Sequence, residues 1–123
     1  MRSRNIIESF RFAFAGLWYA LRTQRNTRIH LIIAAGAVAL GVWLSLSFTQ
    51  WAVLTLTIGS VLVSEMLNTV AETLVDMISP DYHPLAKIVK DVTAGAVLLA
   101  AIVAVIVGLL VLGPPLWGRM WGE

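Results

Sequence analysis

The chain has 123 residues, 59% of them hydrophobic and 13% charged, with a mean hydropathy of +0.83. So little polar surface does not coat a soluble globule of this size, and the composition is that of an integral membrane protein built as one domain over residues 1–123. There is no cysteine, which excludes disulfides, thiolate catalysis and cysteine-ligated metal, and the net charge is only +2. The arginines alternate with Phe, Ile, Leu and Trp, so they suit contact with anionic lipid and not nucleic acid.

Over residues 5–21 the apolar side chains Ile6, Ile7, Phe10, Phe14, Leu17 and Leu21 recur at helical spacing, with Arg4, Glu8, Arg11 and Arg22 on a more polar side. That pattern predicts an amphipathic helix lying in the membrane surface. The first apolar span begins only near Ile29, too late for a cleavable signal, and residues 29–48 are long enough to cross the bilayer. Ser47, Thr49 and Gln50 form an uncharged turn, and Trp51 opens a second helix expected over 51–78. Pro80 and Pro84 bound a loop. A third helix is expected over 86–112, closed by Gly113, Pro114 and Pro115, with Trp117 and Trp121 as interfacial anchors. Gly36, Gly41, Gly95 and Gly108 are expected to let helices approach closely.

Three spans place the N-terminus and the second loop on one side. Of the nine Lys and Arg residues, all but Arg119 fall on that side, so the positive-inside rule makes it cytosolic.

Glu65, Asn68, Glu72 and Asp76 share an arc of about 80° on the second helix at about 100° per residue. Counting from Trp51 at about 1.5 Å per residue, Glu65 lies roughly 21 Å into a hydrocarbon layer of about 30 Å, with Glu72 at the boundary and Asp76 among the headgroups. Asp76 alone would read as part of a solvated face, but ionisable groups held inside a membrane mark a working site. Gln24, Asn26, Arg28 and His30 before the first span, and His83, Lys87, Lys90 and Asp91 after the second, converge on the same side. Carboxylates at the water boundary suit magnesium, and basic side chains suit phosphate, so the inventory is that of phosphoryl transfer. Low-dielectric surroundings make a carboxylate more basic, as deprotonation of a hydroxyl requires, and a substrate for Glu65 would come from the lipid. No Walker A sequence or kinase catalytic loop is present. His30 reads more readily as an interfacial hydrogen-bonding residue than as a catalyst, His83 as either a loop-shaping residue or an ATP contact, and Lys87 as a snorkelling or lipid-phosphate contact.

The run Glu65-Met66-Leu67-Asn68-Thr69-Val70-Ala71-Glu72-Thr73-Leu74-Val75-Asp76, with His83-Pro84-Leu85-Ala86-Lys87, Lys90-Asp91-Val92-Thr93-Ala94-Gly95-Ala96-Val97 and Arg28-Ile29-His30, resembles the prokaryotic diacylglycerol kinase and undecaprenol kinase family across nearly the whole chain. The resemblance implies an all-α membrane protein of the bacterial inner membrane, N-terminus cytosolic. Its fold would be an amphipathic surface helix plus three transmembrane helices, in a homotrimer whose active sites are shared between subunits. It implies Glu65 as the base for the lipid hydroxyl, Asn68 as a positioning residue, and Glu72 with Gln24 as ligands of Mg2+. ATP would be held by Gln24, Glu72, Asp76, Asp81, His83, Lys90 and Asp91, and the lipid by Ser9, Glu65 and Lys87. Gln24 departs from the pattern, which usually has a second glutamate there, leaving weaker metal affinity, a water in its place, a substitute ligand or, as the harshest reading, a catalytically weak homologue kept for assembly or lipid binding. Asn5 and Phe12 depart too, so Arg2 or Arg4 is expected near the nucleotide. The Arg28-Ile29-His30 and His83 to Lys87 segments resemble the undecaprenol kinase branch more than the diacylglycerol kinase branch. A competing reading, a small transporter cycling a proton or cation on Glu65, wants its charge near the midplane with access from both sides.

Overall fold

The computed structural model describes residues 5–122, and among them there are four helices and no strand: α1 (Ile6–Thr23), α2 (Arg25–Leu44), α3 (Phe48–Ile78) and α4 (Pro84–Trp121). Arg2 and Arg4 lie outside the described residues. The amphipathic helix and three apolar helices are those expected, with shifted ends.

Asn5 caps α1, its Oδ1 accepting from the Glu8 N–H at 2.9 Å, while the Glu8 carboxylate sits in the first turn where the helix dipole favours it. Ile6, Phe10, Phe14 and Trp18 are exposed, so the apolar strip of α1 is left uncovered by its own chain, as a helix in a membrane surface requires. A single extended residue, Gln24, separates α1 from α2. Arg28 reaches back across this corner and donates through Nη1 to the carbonyls of Leu21 at 3.0 Å and Arg22 at 2.9 Å, satisfying the end of α1.

Helix α2 starts and ends four residues before the expected 29–48 span. Its apolar run is too even to locate a break, which is set instead by caps. Ser45 takes the left-handed conformation at φ 58°. Ser47 Oγ accepts from the Gln50 N–H at 3.2 Å and the Ser47 N–H donates to Gln50 Oε1 at 2.9 Å, a reciprocal capping box that starts α3 at Phe48 and not at Trp51.

The expected stop at Gly113, Pro114 and Pro115 is not made: α4 runs through both prolines to Trp121. Each proline removes one backbone bond, but contacts beyond them hold the helix. Leu116 packs on the apolar cluster, and Arg119 Nη1 donates to the Trp43 carbonyl at 3.1 Å with its guanidinium 4.6 Å from the Trp43 ring centre. With 31 and 38 residues, α3 and α4 are about 46 and 57 Å long. Both exceed a hydrocarbon layer of about 30 Å, so their hairpin projects from the membrane on the Lys87 and Lys90 side.

The main cluster, Leu44, Leu46, Leu54 and Val111, lies at the opposite end. Gly41 permits it: a Cβ there would meet Trp51 Cη2 at 2.8 Å and Leu46 Cδ1 at 2.9 Å. Within the chain a Cβ at Gly36, Gly95 or Gly108 would meet nothing within 4 Å, so Gly41 alone of the four serves a close approach inside one subunit. Only 6% of the most apolar window of α4 is buried by the chain itself, so lipid or other protein must cover the rest.

Gly41→Val is expected to destabilise the fold by about 1–3 kcal/mol through overpacking, read as a lower thermal midpoint in detergent.

Candidate active site

On α3 the buried residues Leu54, Val61, Glu65 and Thr69 fall on one seam, which Asn68, Glu72 and Asp76 continue. Glu65 is only 2% exposed. The acidic stripe is therefore the continuation of the packing seam of the helix, with Glu65 turned into the protein. On α2 the matching seam is Thr27, His30, Ala34, Ala37, Gly41 and Leu44, spaced three and four residues apart.

Where the two seams meet, His30 Nδ1 stands 2.9 Å from Glu65 Oε1. The pair is at ion-pair distance without hydrogen-bond alignment. Both atoms, with Thr27 Oγ1 and Asn68 Oδ1, are buried polar atoms lacking a hydrogen-bond partner. Such atoms cost about 1–3 kcal/mol each, and four within one turn on each of two touching helices make a site awaiting polar groups from elsewhere. The neighbouring hydroxyls are satisfied locally, Thr69 Oγ1 donating to the Glu65 carbonyl at 3.0 Å and Thr73 Oγ1 to that of Thr69 at 2.8 Å. His30 also lines the polar end of an apolar groove of about 170 Å³ between α2, α3 and α4. The groove exists because Ala34, Ala37, Ala101 and Ala104 are too small to fill it.

On the projecting hairpin, a second pocket of about 350 Å³ is lined by Asp76, Asp81, His83, Lys87, Lys90 and Asp91. Six sequence candidates thus meet in one place. Lys90, on the polar turns ahead of the apolar span, donates to Asp76 Oδ1 at 2.8 Å. That hydrogen bond holds its pKa above the usual lysine value, helped by attraction to Asp76 and Glu72 and opposed by desolvation. Lys87 pairs with Asp91 one turn along the helix, an exposed pair that sets its resting partner. His83 shapes the loop end and also lines the pocket. Its Nδ1 accepts from the Leu85 N–H at 3.1 Å and caps α4, which puts the neutral ring's proton on Nε2 as a donor for the pocket.

Other candidates stand apart. Gln24, half-buried at the α1–α2 corner, turns its amide nitrogen toward Thr23 Oγ1 at 3.5 Å. Ala20 and Tyr19 of α1 border a cleft with Thr69 and Thr73, which brings that corner to the height of the acidic seam. Ser9 lies about 16 Å along α1 from Ala20 at 1.5 Å per residue, and its Oγ donates to the Asn5 carbonyl at 3.2 Å. Arg28 is occupied by the α1 carbonyls. Among the described residues no three His, Cys, Asp or Glu side chains converge to hold a metal. Sequence reasoning overlooked Thr27 and set His30 aside. The signal was there in the three-and-four spacing of small residues on α2.

A buried carboxylate in contact with a histidine that lines an apolar groove, and a separate pocket of paired lysines and aspartates on the same helices, suit a phosphotransferase acting on lipid. The prokaryotic diacylglycerol kinase family model matches residues 11–112. The chain belongs to that family. It is 50% identical to a diacylglycerol kinase of Synechocystis sp. over 117 residues, covering 94% of this chain and 67% of the relative. An undecaprenol kinase of Bacillus subtilis is 40% identical over 109 residues, covering 89% of each. A diacylglycerol kinase of Escherichia coli K12 is 33% identical over 101 residues, covering 82% of this chain and 83% of the relative. This member of the diacylglycerol kinase family is a membrane lipid kinase, and the transporter reading falls away.

Because Glu65 Oε1 is unsatisfied, Glu65→Gln is expected to fold with a stability equal to the wild type or higher by about 1 kcal/mol, read as the thermal midpoint in detergent. A loss of several kcal/mol would make Glu65 a structural group.

Proposed function

We propose that this chain, one domain over 1–123 in the bacterial inner membrane with its N-terminus cytosolic, transfers the γ-phosphoryl group of ATP to the hydroxyl of undecaprenol. The observation that carries the reading is the burial of Glu65, its Oε1 without a hydrogen-bond partner, against His30, which lines an apolar groove. The lipid tail lies along that groove and brings the hydroxyl to Glu65. The hydroxyl oxygen attacks the γ-phosphorus as its proton passes to the Glu65 carboxylate. The bond from phosphorus to the β,γ-bridging oxygen breaks, ADP leaves, and Glu65 returns the proton to water. Asn68, one turn on, orients the reacting groups through its free Oδ1.

Lys90, Asp91, Asp76, Asp81 and the Nε2 of His83 surround the nucleotide, and Lys87 turns from Asp91 to the lipid headgroup. Glu72 and Gln24 are oxygen donors, one anionic and one neutral, which fits Mg2+ arriving with the nucleotide and completing its shell with phosphate oxygens and water. When bound, the ion neutralises charge on the phosphates. The exposed apolar side chains of α4, among them Leu98, Leu99, Leu109 and Leu110, and the place of Ser9 about 16 Å along α1 from Ala20 support a homotrimer in which Ser9 serves a neighbouring subunit's site.

Diacylglycerol is the second reading of the acceptor, favoured by the 50% identity to the Synechocystis diacylglycerol kinase. Purified protein in mixed micelles with labelled ATP and magnesium is expected to label undecaprenol faster than diacylglycerol, with Glu65→Gln lowering the rate about 10²–10⁴-fold. Faster labelling of diacylglycerol transfers the assignment to the second reading. Gln24→Glu adds a charged ligand, and is expected to lower the magnesium concentration for half-maximal rate by about tenfold. An unchanged magnesium dependence would remove Gln24 from the metal site.

A further inference from the structure

We infer that His30 is a positioning residue for this reaction, holding one oxygen of Glu65 so that the other faces the lipid hydroxyl; this rests on Glu65 being the base. The contact is direct, at 2.9 Å between Nδ1 and Oε1, and among the described residues it is the one side-chain ion pair of a carboxylate that is otherwise enclosed. A buried carboxylate without a donor is free to rotate about its last bond, and a reacting atom misplaced by about 1 Å loses about a hundredfold in rate. The His30 ring against one oxygen restricts that rotation, and a small turn of either side chain from the unaligned 2.9 Å contact completes a hydrogen bond that holds it.

Among the described residues no hydrogen bond and no second ion pair reaches the Glu65 carboxylate. α4 faces the groove beside His30 with Ala101, Ala104 and Val105, and α3 with Thr57, Ile58, Val61 and Leu62, none of them titratable. Thr57 Oγ1 is already committed to the Val53 carbonyl at 2.7 Å, and Thr69 Oγ1 to the carbonyl of Glu65 itself. Thr27 sits one turn before His30 with its own Oγ1 unpartnered. The imidazole is carried on α2 while the base is on α3, so its place depends on the small-residue seam that lets the two helices meet. Its position at the polar end of the groove also puts it where the head of a lipid bound there arrives. The imidazole therefore touches both the base and the path of the acceptor.

The test compares His30→Asn, which keeps a side-chain N–H near the position of Nδ1, with His30→Leu, which fills similar space without a donor. Each is made in the wild type and in Glu65→Gln, and His30→Ala replaces leucine should that variant not fold. Expected in the wild-type background are a fall in kcat of at least about tenfold for His30→Leu, an unchanged KM for ATP, and recovery by His30→Asn to within about threefold. In Glu65→Gln the residual rate is expected to change by less than about twofold on removing His30, because the group His30 acts through is gone. Equal losses for asparagine and leucine, full activity of His30→Leu, or an undiminished loss in the Glu65→Gln background would each overturn the inference while leaving the base assignment in place. Wild-type turnover by Glu65→Gln alone would overturn both.

Discussion

A carboxylate occupies a helix-seam position that packing alone would give to a hydrocarbon side chain, and the rest of the molecule is arranged around that substitution. Above Glu65 the seam of α3 is Leu54, Ile58 and Val61; below it the positions pass to Thr69 and Glu72. The two ends of the bundle consequently have different work. The apolar cluster of Leu44, Leu46, Leu54 and Val111 supplies cohesion at one end, and four unsatisfied polar atoms accumulate at the other. Stability and reactivity are thereby separated along one pair of helices, in keeping with the tendency of working sites to sit in the least self-satisfied part of a fold.

The charged hairpin adds a second kind of readiness. Lys90 with Asp76 and Lys87 with Asp91 are exposed pairs, and solvent screening leaves such pairs weak. An anionic nucleotide thus exchanges partners with them at little expense, while in its absence the pairs keep the lysines over the pocket. His83 differs because one ring nitrogen is fixed by the start of α4. Its direction is set by the backbone before any ligand arrives.

Much of this was legible from residue order. The spacing of Glu65, Asn68, Glu72 and Asp76 placed them on one face, and Pro80 and Pro84 marked the loop. The helix ends were less legible, because runs such as 29–48 are uniformly apolar and the break depends on local hydrogen bonds at Ser45, Ser47 and Gln50. The persistence of α4 past Pro114 and Pro115 was hidden for another reason. It depends on Leu116 and Arg119 reaching residues far away in sequence, which local propensity does not register. The meeting of His30 with Glu65 was hidden in the same way: a histidine at a membrane boundary has an ordinary explanation until the partner helix is in place.

The contact between Arg119 and Trp43 bears on how the chain is built into a bilayer. In the proposed orientation, with the N-terminus cytosolic, Arg119 is the cation that α4 must carry through hydrocarbon on insertion, at about 2.5–3.5 kcal/mol near the centre. Synthesis delivers α2 first, and Trp43 at its far end offers both a ring face and a free carbonyl to the arriving charge. Once captured there, the cation must break two contacts and cross the hydrocarbon again to return. The last helix is latched by the charge that made it hardest to insert.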